Sequence, residues 1–222
     1  QPPTKRSLPP NRRPKQQNRN KQISINVNGE QNPLKATDEK RFYTKNHINI
    51  PLLSSEHKSA QNTEHTQQKE FLASFIGDIN VHPIRKQMKN VLAKHRVVIE
   101  HGKYKQSKDV SKFENLMKNS TFALCPRGYG NTSFRLVEAM QYGAIPVYIS
   151  DVFTLPYSDL IDWNSIAVLI KPEQFPKAHE ILKNLENDPN KINSYRQNIQ
   201  DAYDKYFTMK GCCENMIRYI TK

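Results

Sequence analysis

The stretch TFALCPRGYGNTSFRLVEAMQYGAIPVYISD, residues 121–151, decides the fold. Its apolar opening, Phe122 to Cys125, has the length of a buried strand. Pro126, Gly128 and Gly130 then break the run, as in a turn whose backbone can come close to a ligand. Asn131, Thr132 and Ser133 are helix N-cap types, Phe134, Val137 and Met140 recur at helical spacing, and Gly143 reads as the stop. Ala144 to Ile149 is a second apolar run, closed by Ser150 and Asp151. Strand, glycine loop, helix and strand make a βαβ unit. Such a unit presents the N–H groups and positive dipole end of a helix to an anion such as a diphosphate.

The same alternation continues on both sides. Upstream, Phe71 to Ile76 is a strand broken by Gly77, and His82-Pro83 opens a helix carrying Ile84, Met88, Val91 and Leu92. Val97 to Ile99 is a strand, and Ser111 and Glu114 stand at capping-box spacing ahead of Phe113, Leu116 and Met117. Downstream, Ile166 to Ile170 is a strand, and Pro172 and Pro189 open helices. Alternation from about residue 67 to 206 predicts an α/β domain with a Rossmann-like parallel sheet covered on both faces, followed by a C-terminal helix in residues 207–222. Ligands of such sheets sit beyond the carboxyl ends of the strands. The loops at 77–82, 126–132 and 150–157 are therefore expected to converge on one edge.

Residues 1–66 read differently, as a largely irregular arm. Residues 1–22 hold seven Lys or Arg and no acid, so roughly half of the formal charge of +13 lies there and about +6 is left for the other 200 residues. Rich in Pro, Gln and Asn, this piece has too little apolar surface to offset its ordering entropy. A solvated tail is the plainer reading, and nucleic acid is not an expected partner, because the tract lacks the interleaved aromatics on which bases stack. Ile23, Ile25 and Val27 alternate as a short strand ending at the Asn28-Gly29 turn, and HINIPLL at 47–53 is a second apolar piece. Two such pieces are too few for a core and read as remnants of another domain or as strands that pair with something larger.

Over the 222 residues the mean hydropathy is −0.80 and 36% are hydrophobic, with no run of about 18 apolar residues that would span a membrane. The chain opens on Gln1, as an excised piece would, leaving room for an anchor upstream. Cys125, Cys212 and Cys213 are too few for a disulfide framework. Cys125 reads as a small core residue, and a bridge from it to one of the other two is left open.

The residues expected at the shared edge are Asp78, His82 and Arg85 from the first loop, Arg127, Gly128, Tyr129, Thr132, Ser133 and Arg135 from the second, and Asp151 from the third, with Glu138 one turn along the helix from Arg135. Cations, hydroxyls and helix-start amides suit a phosphate, and a nearby carboxylate suits ribose or sugar hydroxyls. The loop is neither a Walker sequence nor GxGxxG.

Residues 125–151 resemble the signature of exostosin-like glycosyltransferases, glycosyltransferase family 47, through Pro126, Gly128, Ser133, Arg135, Glu138, Ala139, Gly143, Ile145, Pro146, Val147 and Asp151. Trp163 and the stretch FIGDINVHPIRKQM, 75–88, add to the resemblance. It implies a GT-B arrangement of two Rossmann-like domains, this chain being the second, donor-binding one. The implied activity is transfer of a sugar, with inversion, from a nucleotide-diphosphate sugar such as a UDP-sugar to a glycan or glycoconjugate hydroxyl. By the same resemblance Ser133 and the helix start would take the diphosphate with Arg135 or Arg85 as its cation, Glu138 the ribose, and Arg127, Gly128 and Thr132 would line the donor pocket. No cofactor or metal is implied, and no D-x-D motif occurs in the chain. Asp151 and His82 are the ionisable groups to test as catalytic base. A first domain of comparable size has no counterpart in residues 1–66, so a non-catalytic nucleotide-sugar or glycan-binding module is the alternative. A Golgi location follows if the protein is eukaryotic with an upstream anchor, and a cytoplasmic one otherwise.

Overall fold

The computed structural model describes residues 25–26, 47–53, 69–94, 96–102 and 107–221. The basic tract 1–22, the Asn28-Gly29 turn and nearly all of the polar stretch 54–69 lie outside them. Two short strands, β1 (Ile25–Asn26) and β2 (His47–Ile48), pair antiparallel with Ile25 opposite Ile48. The chain after β2 docks on the main body: the Asn49 carbonyl accepts the Tyr157 N–H at 3.1 Å, Pro51 is buried, and Ile50 packs against the core.

The main sheet has five parallel strands, β3 (Phe71–Gly77), β4 (Val97–His101), β5 (Ser120–Pro126), β6 (Ile145–Ile149) and β7 (Val168–Ile170), in the order β4-β3-β5-β6-β7. This is a doubly wound order: the first crossover goes one way, the next returns over β3, and the direction change puts a switch point between β3 and β5. Helix α1 (Pro83–Leu92) packs on α4 (Phe175–Glu186), and α4 on α5 (Pro189–Ala202). Right-handed crossovers put α2 (Ser107–Lys118) and α3 (Arg135–Gln141) on the opposite face, against β3, β5 and β6. Among the described residues no helix is long and apolar enough to cross a membrane.

β5 is central, and Phe122 to Cys125 are fully buried, as continuous apolar strands of two-sided parallel sheets must be. β6 is buried just as fully yet contains Pro146, which cannot donate to a ladder. The register explains this: β7 pairs with β6 only from Val147 onward, so Pro146 has a neighbour on one side only. Gly143 stops α3 as expected, at φ 65°. The Ala144 N–H donates to the Ala139 carbonyl and the Gly143 N–H to the Met140 carbonyl, both at 3.1 Å, which is a Schellman ending.

Three local expectations are corrected. α2 begins at Ser107, so Ser111 and Glu114 lie inside it, where no N–H is orphaned for a capping box to satisfy. The last strand starts at Val168, because a 3-10 turn, Trp163–Ser165, runs into Ile166. α3 is entered through Phe134, whose backbone is already helical (φ −54°, ψ −30°), and the Ser133 carbonyl accepts the Leu136 N–H. The hydroxyls of Thr132 and Ser133 therefore cap nothing.

Downstream, α5 continues as a π-helical turn, Tyr203–Phe207, into α6 (Met209–Ile220). Trp163 anchors this region to the sheet, donating to the Pro156 carbonyl at 2.8 Å and meeting Phe207 edge-on at 5.8 Å. All three cysteines are free thiols: Cys125 and Cys212 are buried and Cys213 is exposed.

A candidate anion site at the switch point

β3 and β5 are paired only over their first halves, from Phe71 opposite Ser120 to Ser74 opposite Ala123, whereas β4 follows β3 to Gly77. The sheet therefore opens at its carboxyl edge between Phe75–Gly77 and Leu124–Pro126. Two arginines fill the opening. Arg85, from the first turn of α1, donates through Nε to the Arg127 carbonyl and through Nη1 to the Asp78 carbonyl, both at 2.9 Å, with Nη2 3.4 Å from the Pro126 carbonyl. Arg135, the first residue of α3, donates through Nη1 to the Ile76 carbonyl at 2.5 Å. Both guanidinium groups lie over the buried ring of Phe75, Arg85 at 5.6 Å and Arg135 at 4.9 Å from its centre, and Arg135 also lies 5.1 Å from the ring of Phe113.

Two half-buried cations over one ring repel each other. Burial and then the charge of Arg135 bring the Arg85 pKa down to about 10 from 12.5, against the opposing pull of Asp78. Arg135 has a carboxylate partner only at long range, Glu138 at 3.8 Å, in the i, i+3 relation expected of the helix. Among the described residues Arg85 has backbone carbonyls as hydrogen-bond partners and no carboxylate at ion-pair distance.

The three strand-end loops meet as expected. The Arg85 bonds join the first to the second. Arg127, with a side chain only 5% exposed, joins the second to the third through Asp151, Nη1 to Oδ1 at 2.6 Å. The Tyr148 hydroxyl donates to the Asn131 carbonyl and accepts the Thr154 N–H at 3.4 Å, fixing both later loops to β6. Gly128 lies directly against the crevice: a Cβ there would stand 3.4 Å from Arg85 Nη2. Thr132 and Ser133 are half-buried on the same loop.

Asp151 and His82 both have structural work. The Asp151 carboxyl is raised by burial, but the hydrogen bond and charge of Arg127 outweigh that and leave it below its ordinary value. It also accepts the Val152 N–H at 3.1 Å. His82 caps α1, with Nδ1 accepting the Ile84 N–H at 3.3 Å.

One edge residue escaped the sequence reading. His101 ends β4, its Nδ1 accepting the Ile79 N–H at 3.3 Å and lying 3.7 Å from the Asp78 carboxylate. The signal was present, a histidine followed by Gly102 at the end of a recognised strand. A separate open hollow of about 250 Å³, lined by Asp162, Ser165, Asn198 and Lys205 among others, lies on the far side of β7, toward its amino end. Among the described residues no three His, Cys, Asp or Glu side chains come together to hold a metal ion.

A doubly wound parallel sheet with helices on both faces and an arginine-lined crevice at its switch point defines an α/β protein of the Rossmann-like class. The family follows from comparison: the model of the exostosin GT47 domain matches residues 4–185, and the chain belongs to that family. The match begins at residue 4, inside the basic tract. The Exostosin-1 homolog of Caenorhabditis elegans is 28% identical over 198 residues, covering 79% of this chain and 51% of that protein. Exostosin-1 of Drosophila melanogaster is 29% identical over 181 residues, 72% of this chain and 24% of that one. A probable glucuronosyltransferase of Oryza sativa subsp. japonica is 44% identical over 72 residues, 32% of this chain and 17% of its own length. The chain thus spans about half of the worm relative and about a quarter of the fly one. Among solved structures, that of TarM overlaps 82% of this chain and 40% of its own at 14% identity, with a TM-score of 0.47.

Proposed function

We propose that this chain is the donor-binding part of a glycosyltransferase that moves a sugar from a nucleotide-diphosphate donor, a UDP-sugar, to a glycan hydroxyl with inversion. The observation that carries this is the pair Arg85 and Arg135, two cations held over one ring at the switch point with Glu138, 3.8 Å from Arg135, as the nearest carboxylate partner among the described residues, an arrangement an anion relieves. The diphosphate would lie against both guanidinium groups and the hydroxyls of Thr132 and Ser133. Glu138, tied only loosely to Arg135, would take the ribose hydroxyls. Arg127 and Gly128 would form the wall of the pocket.

In the transfer, the acceptor oxygen bonds to the anomeric carbon while the bond from that carbon to the β-phosphate oxygen breaks. The cations take up the charge of the departing diphosphate, and the acceptor proton passes to a base. Of the two candidate bases, Asp151 is the weaker, because its pairing with Arg127 lowers its proton affinity, and His82 would have to act through Nε2. A location in the Golgi lumen accords with membership of the exostosin family.

One observation favours a second reading, nucleotide-sugar binding without transfer: both candidate bases are engaged in structural bonds. Parallel measurement of UDP binding and of sugar transfer from UDP-sugars separates the two readings. Binding without transfer to any acceptor selects the second, and neither binding nor transfer removes both. In a thermal-shift screen UDP should raise the melting temperature, since a ligand of the native state alone stabilises it. Glu138→Ala should diminish that rise, and an undiminished rise would rule out the ribose role.

A further inference from the structure

Six large apolar side chains are exposed among the described residues, and the two aromatic ones, Tyr129 (84% exposed) and Phe134 (39%), lie on a single loop. That loop is the one over the switch-point crevice. Tyr129 follows Gly128, whose missing Cβ leaves the space in front of Arg85 Nη2, and Phe134 immediately precedes Arg135. Each aromatic is therefore next in sequence to a residue that shapes the cation pair. Tyr129 makes no hydrogen bond or ring contact among the described residues, and glycine on either side leaves its backbone unhindered. Folding gives no reason for a ring at this tip, where water covers nearly all of it.

We propose that Tyr129, with Phe134 further along the same loop, is the platform on which the nucleobase of the donor stacks, so that the loop after β5 binds both ends of the nucleotide, its phosphates and its base. This rests on the diphosphate reading above and adds the residue that would prefer a nucleotide over a bare diphosphate. An exposed phenol offers a flat face to any base, and stacking on it survives changes of hydrogen-bonding pattern. Tyr129 follows directly on Gly128, where a Cβ would stand 3.4 Å from Arg85 Nη2, so a base on Tyr129 would be close to a diphosphate on Arg85.

The test compares pyrophosphate, UDP and a UDP-sugar as ligands of the parent, Tyr129→Ala and Tyr129→Phe, by titration calorimetry. Because the side chain is almost wholly exposed, neither variant should disturb the fold, which far-UV circular dichroism verifies. Tyr129→Ala is expected to weaken UDP and the UDP-sugar alike, about tenfold, and to leave pyrophosphate unchanged, while Tyr129→Phe behaves as the parent. Equal weakening of pyrophosphate would show that the residue acts through the loop and the cations, and would overturn the platform. Unchanged UDP affinity would overturn it too, as would a loss confined to the UDP-sugar, which would place the sugar on Tyr129 instead. A parent that binds neither pyrophosphate nor UDP would overturn the cation site itself, an outcome distinct from the others.

Discussion

Replacing Arg85 with Met separates a ligand cation from a structural clamp. The substitution keeps an unbranched chain over Phe75 and removes the charge. The lowering of the Arg85 pKa to about 10 from 12.5 corresponds to a penalty on the charged form on the order of 3 kcal/mol, or about 2 after allowing for screening by solvent at this half-buried group. Against this stand the two 2.9 Å bonds to the Asp78 and Arg127 carbonyls, worth about 1 kcal/mol each. The two contributions nearly cancel, so Arg85→Met should change the unfolding free energy by less than about 1 kcal/mol in a urea titration. Pyrophosphate and UDP should both bind more than tenfold more weakly, because a hydrogen bond to a charged phosphate contributes roughly 1.5–3 kcal/mol. A loss of stability beyond about 2 kcal/mol with unchanged pyrophosphate affinity would refute the reasoning and make Arg85 a clamp on the splayed strand ends.

Other substitutions should act on the fold and leave the crevice alone. Arg96, at the amino edge of the sheet, makes a bidentate pair with Glu186 (2.7 and 3.1 Å) and donates to the Lys69 and Glu70 carbonyls at 2.7 and 3.1 Å. Arg96→Ala should cost about 2–3 kcal/mol in urea unfolding without altering pyrophosphate affinity. At Gly211 an added Cβ would stand 2.5 Å from the Lys205 carbonyl oxygen, inside the π-helical turn, so Gly211→Ala should destabilise by about 1–3 kcal/mol in the same assay. Thiol labelling of the native protein should modify Cys213 and spare Cys125, whose thiol burial holds well above its ordinary pKa. Mass spectrometry after brief alkylation would show this, and early modification of Cys125 would contradict its burial.

The sheet is legible in the sequence because each strand is a short apolar run bounded by Gly, Pro or a polar cluster, and the helices between them carry apolar residues at helical spacing. The two central strands, Ser120–Pro126 and Ile145–Ile149, were readable for the added reason that burial on both faces leaves no alternation to blur them. What escaped was set by tertiary pairing. Nothing local to Phe75–Gly77 or Leu124–Pro126 says that these segments part, because the parting depends on register. The meeting of Arg85 with Arg135 over Phe75 could therefore not be read, although each residue was marked singly. The entry into α3 was misplaced because Asn131, Thr132 and Ser133 have the chemistry of caps, and backbone angles alone show that Phe134 takes that position. Residues 83–118 hold ten Lys or Arg against three acids, so a basic surplus is written into the sequence around α1, β4 and α2 as well as into the arm.

The exposed Lys86 and Lys94 offer a rival location for an anion, and a structure of the protein with UDP decides between the two most directly. The diphosphate should lie beyond the carboxyl ends of β3 and β5, within hydrogen-bond distance of both Arg85 and Arg135. A diphosphate bound instead along Lys86 and Lys94, with the crevice unchanged, would contradict the assignment of the switch point as the donor site.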